Sequence, residues 1–273
     1  MNYRHAFHAG NFADLVKHAG LLALIAELQR DAAPLSVIDT HAGRGLYDLA
    51  GPEARKSGEA AAGIARLMAA RDAPGEFAPL TAAVRALNRG GEVRRYPGSP
   101  WLVAGALRGG DSYLGCELRP DEQRTLAEAL KGRAGARTAL ADGYAAAPRE
   151  VPATGRALVL IDPPFERADD YGRIVETVAA ARRKNRGAVV LVWAPLKDLE
   201  TFDGFLRELE DADAGPLLVA EARMRPLSDP MKMNGCALVC VDAPAGLAAA
   251  LEAICGWTTA ALGEGGAARV YPL

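Results

Sequence analysis

Cysteine is scarce and poorly placed for a scaffold. The chain has four, Cys116, Cys236, Cys240 and Cys255, and no Cys-x-x-Cys pair. All but Cys255 sit in apolar, strand-like runs, which predicts reduced core residues, not a disulfide framework or a zinc site. Long apolar runs are also missing. No stretch approaches the roughly 18 apolar residues of a membrane span. Met1 to Gly20 has no apolar run behind a positive region, so no signal peptide is expected and the reading is cytoplasmic. Charge of one sign is not in excess: 32 Lys and Arg against 34 Asp and Glu leave a formal net charge of −2. A protein that grips nucleic acid over its whole surface is usually basic. Any nucleic-acid partner must therefore be met by a local patch.

Repeats and low-complexity linkers are absent as well. The 273 residues, 50% of them hydrophobic, suit one large core, so residues 1–273 read as a single domain. Histidine is rare, and all four, His5, His8, His18 and His41, fall in the first 41 residues. Three lie in Tyr3-Arg4-His5-Ala6-Phe7-His8-Ala9-Gly10-Asn11-Phe12-Ala13-Asp14-Leu15-Val16-Lys17-His18. Such a density of Tyr, Arg, His, Asn and Lys before a helix reads as a binding surface. No carboxylate stands at a His-Glu-x-x-His type of spacing, so no metal is expected.

What is present alternates. Leu15 to Gln29 reads as a buried helix and Leu35 to Asp39 as a buried strand. Further strands are predicted at Ser112 to Glu117, Arg137 to Ala141, Ala157 to Asp162, Ala188 to Trp193, Leu217 to Met224 and Cys236 to Val241. Helices are predicted at Asp121 to Lys131, Tyr171 to Arg183 and Leu199 to Glu210. This order argues for a parallel α/β sheet wound on both faces. One spacing is long. In dinucleotide-type folds an acidic residue for the ribose follows the first glycine turn by about 20 residues. Here the strand ending at Asp39 is followed by the next acid-terminated strand only at Glu117, 78 positions on. The excess predicts a small inserted helical subdomain over about residues 51–100, with helices near Ala60 to Ala70 and Phe77 to Leu87.

The chemistry-bearing motif is Asp162-Pro163-Pro164-Phe165, directly after the apolar run Ala157 to Ile161. The prolines lack N–H groups and fix the backbone, which leaves their carbonyls free to act as acceptors. An adenine amino group offers two N–H donors, one for the Asp162 carboxylate and one for the Pro163 carbonyl. Phe165 supplies a stacking face worth about 1–3 kcal/mol to a single-stranded or flipped base. Two acceptors draw the amino nitrogen towards pyramidal geometry and free its lone pair for attack on a sulfonium methyl, a step that needs mainly positioning.

Asp39-Thr40-His41-Ala42-Gly43-Arg44-Gly45 is a glycine turn after the first strand. Asp48 stands where a dinucleotide site has its third glycine, which favours S-adenosylmethionine over a pyrophosphate ligand. Glu117 fits the acid that accepts from both ribose hydroxyls. Asp142-Gly143 fits the contact with the cofactor's adenine, or an ordinary turn. Arg94-Arg95-Tyr96-Pro97-Gly98-Ser99-Pro100 adds positive charge and a tight turn. Arg182-Arg183-Lys184-Asn185-Arg186 reads as a solvated helix end.

Through the N-terminal segment, Asp-Thr-His-Ala-Gly-x-Gly, Tyr-Pro-Gly-Ser-Pro and Asp-Pro-Pro, the chain resembles the bacterial 23S ribosomal RNA large-subunit (adenine-N6) methyltransferase J family. The match runs through most of its length. The resemblance implies a class I, Rossmann-like fold with a mostly parallel seven-stranded sheet and a helical insertion. It implies methyl transfer from S-adenosylmethionine to N6 of one adenine in 23S rRNA, by a monomer. Carried over by position, His18, His41, Gly43, Ser99, Glu117, Asp142, Gly143 and Asp162 would contact the cofactor, with Asp162 also the catalytic acceptor. Tyr3, His5 and Lys17 would face the RNA beside Pro163 and Phe165, and the N-terminal segment would act as a lid. Phe165 departs from the Tyr common in the family, losing a hydroxyl and keeping the ring.

The same chemistry on DNA would call for a base-reading domain, and on a glutamine amide for Asn in place of Asp162. A non-catalytic RNA-binding protein would show a degraded cofactor site, yet Gly43, Glu117 and Asp162 are present. The glycine spacing disfavours a nicotinamide-dependent oxidoreductase.

Overall fold

The computed structural model describes residues 7–227 and 233–273. Helix α1 (Phe12–Leu28) leads into β1 (Leu35–Asp39) and a short β2 (Leu46–Asp48). Helices α2 (Pro52–Ser57), α3 (Glu59–Ala62), α4 (Ile64–Ala69) and α5 (Ala78–Leu87) follow, then β3 (Arg95–Pro97) and α6 (Ser99–Ala106). Strict alternation comes next: β4 (Ser112–Glu117), α7 (Pro120–Ala129), β5 (Ala136–Leu140), α8 (Gly143–Glu150), β6 (Arg156–Ile161), α9 (Asp170–Lys184), β7 (Ala188–Leu196) and α10 (Leu199–Asp211). The chain closes with β8 (Leu217–Arg223), β9 (Gly235–Val241), α11 (Leu247–Leu262) and β10 (Ala267–Pro272).

Among the described residues the main sheet has eight strands, not seven, in the order β10-β8-β9-β7-β6-β1-β4-β5. Strands β5, β4, β1, β6 and β7 are parallel neighbours, whereas β9 and β10 run antiparallel to theirs. The additional strand is β10. It lies at the edge against β8, is only partly buried, and ends in Pro272, so it lacks the apolar signature of the others. The central strands carry that signature strongly. Ala157 to Ile161 on β6 are all fully buried, as expected of a parallel strand covered on both faces.

Two cores sandwich the sheet. On one face α1, α6, α7 and α11 share a core with Ile64, Leu67, Phe77, Leu80, Val84 and Tyr96 of the 51–100 segment. On the other, α8, α9 and α10 pack around Tyr144, Ile174, Val178, Phe202 and Phe205. Each buried Leu, Ile or Phe contributes about 1.5–3 kcal/mol, so the inserted helices are welded to α1 by the main core itself. A two-stranded ribbon, β2 with β3, forms the stem of the insertion, and Gly98 N donates to Gly45 O at 2.8 Å where it closes.

Sequence and structure differ at two places on these elements. The single helix predicted over Ala60 to Ala70 is broken into α3 and α4 at Gly63. Arg182 is not solvated: it is buried, and its guanidinium donates to Ala214 O, Ala188 O and Asp242 Oδ2. The basic run ends α9, as the charge pattern suggests, but its first residue pins that helix to the sheet.

Candidate active site

Strand order reverses at β1, where ligands bind in open α/β sheets. The two turns with chemical content leave the carboxyl ends of neighbours there, β1 and β6. Thr40 N donates to Leu160 O at 3.0 Å and Thr40 Oγ1 to the same oxygen at 3.1 Å. The β1 turn is thereby fixed against the strand that ends in the Asp162 motif.

Asp162 is partly exposed, Pro163 is buried and Pro164 is exposed. Phe165 follows with φ +51°, a left-handed conformation that costs a non-glycine residue roughly 1–2 kcal/mol. Its ring packs on Tyr171 and Trp193, with centroids 5.0 and 5.9 Å away. Aromatic pairs of this kind contribute about 0.5–1.5 kcal/mol each, enough to offset the strain. The Asp162 carboxylate meets a cation: Lys17 Nζ lies 2.6 Å from Asp162 Oδ2 and 2.9 Å from Asp14 Oδ1. Burial works against the lysine's charge, but the two carboxylates outweigh it and hold the Lys17 pKa well above its ordinary value. Lys17, expected to face the RNA, is 5% exposed. It pairs with Asp162 and Asp14 from a helix that is buried nearly all round.

The β1 turn makes a cradle. Gly43 and Gly45 have φ +63° and +80°, conformations that favour glycine. Gly43 N donates to Glu117 Oε2 at 3.1 Å, and Arg119 N to Glu117 Oε1 at 2.8 Å. Burial raises the Glu117 pKa against these two bonds. At the end of the next strand Asp142 caps α8 by accepting from Tyr144 N, and its Oδ2 lies 2.6 Å from an Arg173 nitrogen. Arg173 also lies over the Tyr144 ring, 4.3 Å from its centroid. The His41 ring meets Tyr144 edge-on, 4.7 Å between centroids, and its Nδ1 lies 2.7 Å from Thr40 Oγ1. Burial lowers the His41 pKa to about 4, so the ring is neutral at physiological pH.

Beneath the turn, Asp39 is fully buried and accepts from Ser99 Oγ at 2.8 Å, Tyr113 OH at 3.1 Å and His41 N at 3.2 Å. Burial raises its pKa to about 6. Two residues expected on the cofactor also have protein partners. The Ser99 hydroxyl is bonded to Asp39. His18 is 1% exposed, with Nδ1 2.7 Å from Tyr96 OH. Gly143 has a packing reason of its own: a Cβ there would run into the Thr40 carbonyl. Tyr3 and His5 lie outside the described residues. Asp14, Arg173 and Tyr144 were not singled out from sequence. Asp14 left a trace, a carboxylate three positions before Lys17 in an otherwise apolar helix, whereas Arg173 is one charge among several on an amphipathic helix.

Among the described residues no group of His, Cys, Asp or Glu could hold a metal ion, and no helix is long and apolar enough to cross a membrane. A glycine turn and two carboxylates at the ends of three adjacent parallel strands, beside Asp-Pro-Pro-Phe on a fourth, define a Rossmann-like methyltransferase.

The comparisons with known proteins narrow this class. Residues 32–271 match the family described as ribosomal RNA large subunit methyltransferase D, RlmJ, and the chain belongs to that family. It is 33% identical over 245 residues to ribosomal RNA large subunit methyltransferase J of Escherichia coli strain K12, covering 89% of this chain and 88% of that protein. It is 32% identical over 246 residues to the protein of the same name from Haemophilus influenzae, with the same coverage. Among solved structures, protein LPL1258 of Legionella pneumophila superposes with a TM-score of 0.87 at 27% identity, over 97% of this chain and 98% of that one.

Proposed function

We propose that this ribosomal RNA methyltransferase transfers a methyl group from S-adenosylmethionine to N6 of one adenine in 23S rRNA. The carrying observation is the placement of Asp162-Pro163-Pro164-Phe165 at the end of β6, beside the cradle formed by Gly43 and Glu117. The residues fit the cofactor by donor and acceptor chemistry. A ribose diol offers two hydroxyl donors to Glu117, and an adenine amino group offers donors to Asp142. Gly43 and Gly45 let the backbone come close. His41, neutral at physiological pH, adds no repulsion to a sulfonium. When bound, S-adenosylmethionine supplies an activated methyl group.

The protein's own work is positioning. Asp162 accepts one N–H of the target amino group and the Pro163 carbonyl the other, which turns the nitrogen lone pair towards the methyl carbon. Phe165 offers the ring face not taken by Tyr171 and Trp193 to the flipped base. Lys17 holds the Asp162 carboxylate in place. Ser99, held by Asp39, and His18, held by Tyr96, contact the cofactor from the wall of the site. Tyr3 and His5 meet the RNA, and the inserted 51–100 segment forms a helical subdomain beside the site.

The test is incorporation of label from tritiated S-adenosylmethionine into 23S rRNA of a strain lacking the enzyme, digested to nucleosides. The label is expected in N6-methyladenosine, and Asp162→Ala is expected to lower incorporation at least a thousandfold with melting temperature preserved. Label in DNA or protein and none in rRNA sinks the assignment.

A further inference from the structure

The inserted segment meets the chain at a second place, the turn just before α1. Glu59, first residue of α3, lies 2.8 Å through Oε1 from His8 Nδ1, and its Oε2 accepts from Asn11 Nδ2 at 2.9 Å. Backbone joins backbone beside this pair, with Ile64 N donating to Gly10 O at 2.8 Å. The approach depends on two glycines. A Cβ on Gly63 would run into the Gly10 carbonyl, and one on Gly10, at φ +80°, would lie 2.8 Å from Ile64 Cγ2. The break between α3 and α4 thus has a purpose: it opens the helix so that this turn can seat on residues 10 and 11.

Contacts continue from there to the reaction centre. Asn11 Oδ1 accepts from Asp14 N at 3.0 Å, and Asp14 Oδ2 accepts from Gly10 N at 2.8 Å. Asp14 Oδ1 holds Lys17 Nζ, which holds Asp162.

We propose that the inserted helical segment anchors the turn before α1, and that Glu59 is a positioning residue for methyl transfer, acting through His8 and Asn11. The inference rests on the reading of Asp162 as the acceptor for the target amino group. His8 and Glu59 are partly exposed, at 41% and 34%. Such an exposed pair adds little to global stability. Its effect is on the Asn11–Asp14–Lys17 chain that leads to Asp162.

The experiment compares the full chain with Glu59→Ala, Glu59→Gln, His8→Ala and Asp162→Ala. It measures the single-turnover methylation rate on saturating unmodified 23S rRNA, S-adenosylmethionine affinity, and the His8 titration by NMR. Glu59→Ala is expected to slow methylation at least fivefold, with cofactor affinity within twofold of wild type. Glu59→Gln, which keeps an acceptor for Asn11, is expected to recover part of the rate. The double variant with His8→Ala is expected to be no slower than the worse single. The His8 pKa, raised in the wild type mainly by its hydrogen bond to Glu59, is expected to fall in Glu59→Ala. A wild-type rate in Glu59→Ala, or parallel losses of rate and cofactor affinity, overturns the proposal. Asp162→Ala separates the two readings: if it too leaves labelling intact, the active-site reading has failed; if it alone is inactive, only the anchor has.

Discussion

Asp39 is the residue on which burial and function meet most directly. Its carboxylate sits under the β1 turn and is satisfied by two hydroxyls and one backbone N–H. These bonds favour the charged form, yet desolvation is larger and raises the pKa to about 6. The native state therefore keeps a proton that the unfolded chain, near its ordinary 3.8, has already released. Between about pH 4 and pH 6 the folded form binds more protons, so stability falls as pH rises and levels off above the folded pKa. At 1.36 kcal/mol per pKa unit the span is on the order of 3 kcal/mol. Urea unfolding across that range checks it: the wild type is expected to lose stability relative to Asp39→Asn as pH rises from 4 to 6, and a constant difference refutes the burial argument. Asp39 was legible in the sequence only as the end of a strand. Its partners Ser99 and Tyr113 are 60 and 74 positions away, a distance that no local pattern spans.

At the scale of elements, the sharpest constraint is helix α8. It starts at Gly143 so close to the β1 turn that any side chain there meets the Thr40 carbonyl. Backbone cannot yield as a flexible side chain does, so Gly143→Ala is expected to cost about 3 kcal/mol and to weaken cofactor binding by shifting Asp142. Thermal denaturation and S-adenosylmethionine titration check both; unchanged stability shows that the turn adapts. Central strands other than β7 were read from sequence to within a residue, because parallel strands buried on both faces are continuous apolar runs; β7 runs three residues past the expected Trp193, through Ala194-Pro195-Leu196. Helices α7, α9 and α10 were read nearly as well, from their amphipathic periodicity. Helix α3–α4 was read as unbroken because Ala60 to Ala70 carries helix-forming residues around Gly63. The break exists for contact with Gly10, which lies 53 positions earlier.

At the scale of the whole molecule, the insertion, α1 and the sheet share one core, so a ligand bound at the strand ends stabilises all of them together. Free S-adenosylmethionine at 100 times its Kd adds about 2.7 kcal/mol. For a domain of this size the midpoint is expected to rise by about 5–10 °C, with NAD producing no shift. Calorimetry with each ligand decides, and an equal rise with NAD refutes the reading of the glycine turn as selective for S-adenosylmethionine.

The sequence by itself determined the alternation of strands and helices, the Asp-Pro-Pro-Phe motif and the glycine turn. Each is a local pattern, written within a few consecutive residues. Only the tertiary structure decided that Lys17 lies against Asp162, that Ser99 is bound to Asp39, that Arg173 holds Asp142, and that Glu59 reaches His8. Each of these joins two elements far apart in the chain, 145 residues for Lys17 and Asp162. Ion pairs and hydrogen bonds act over about 3 Å, and which charges come that close is set by how whole helices pack on the sheet.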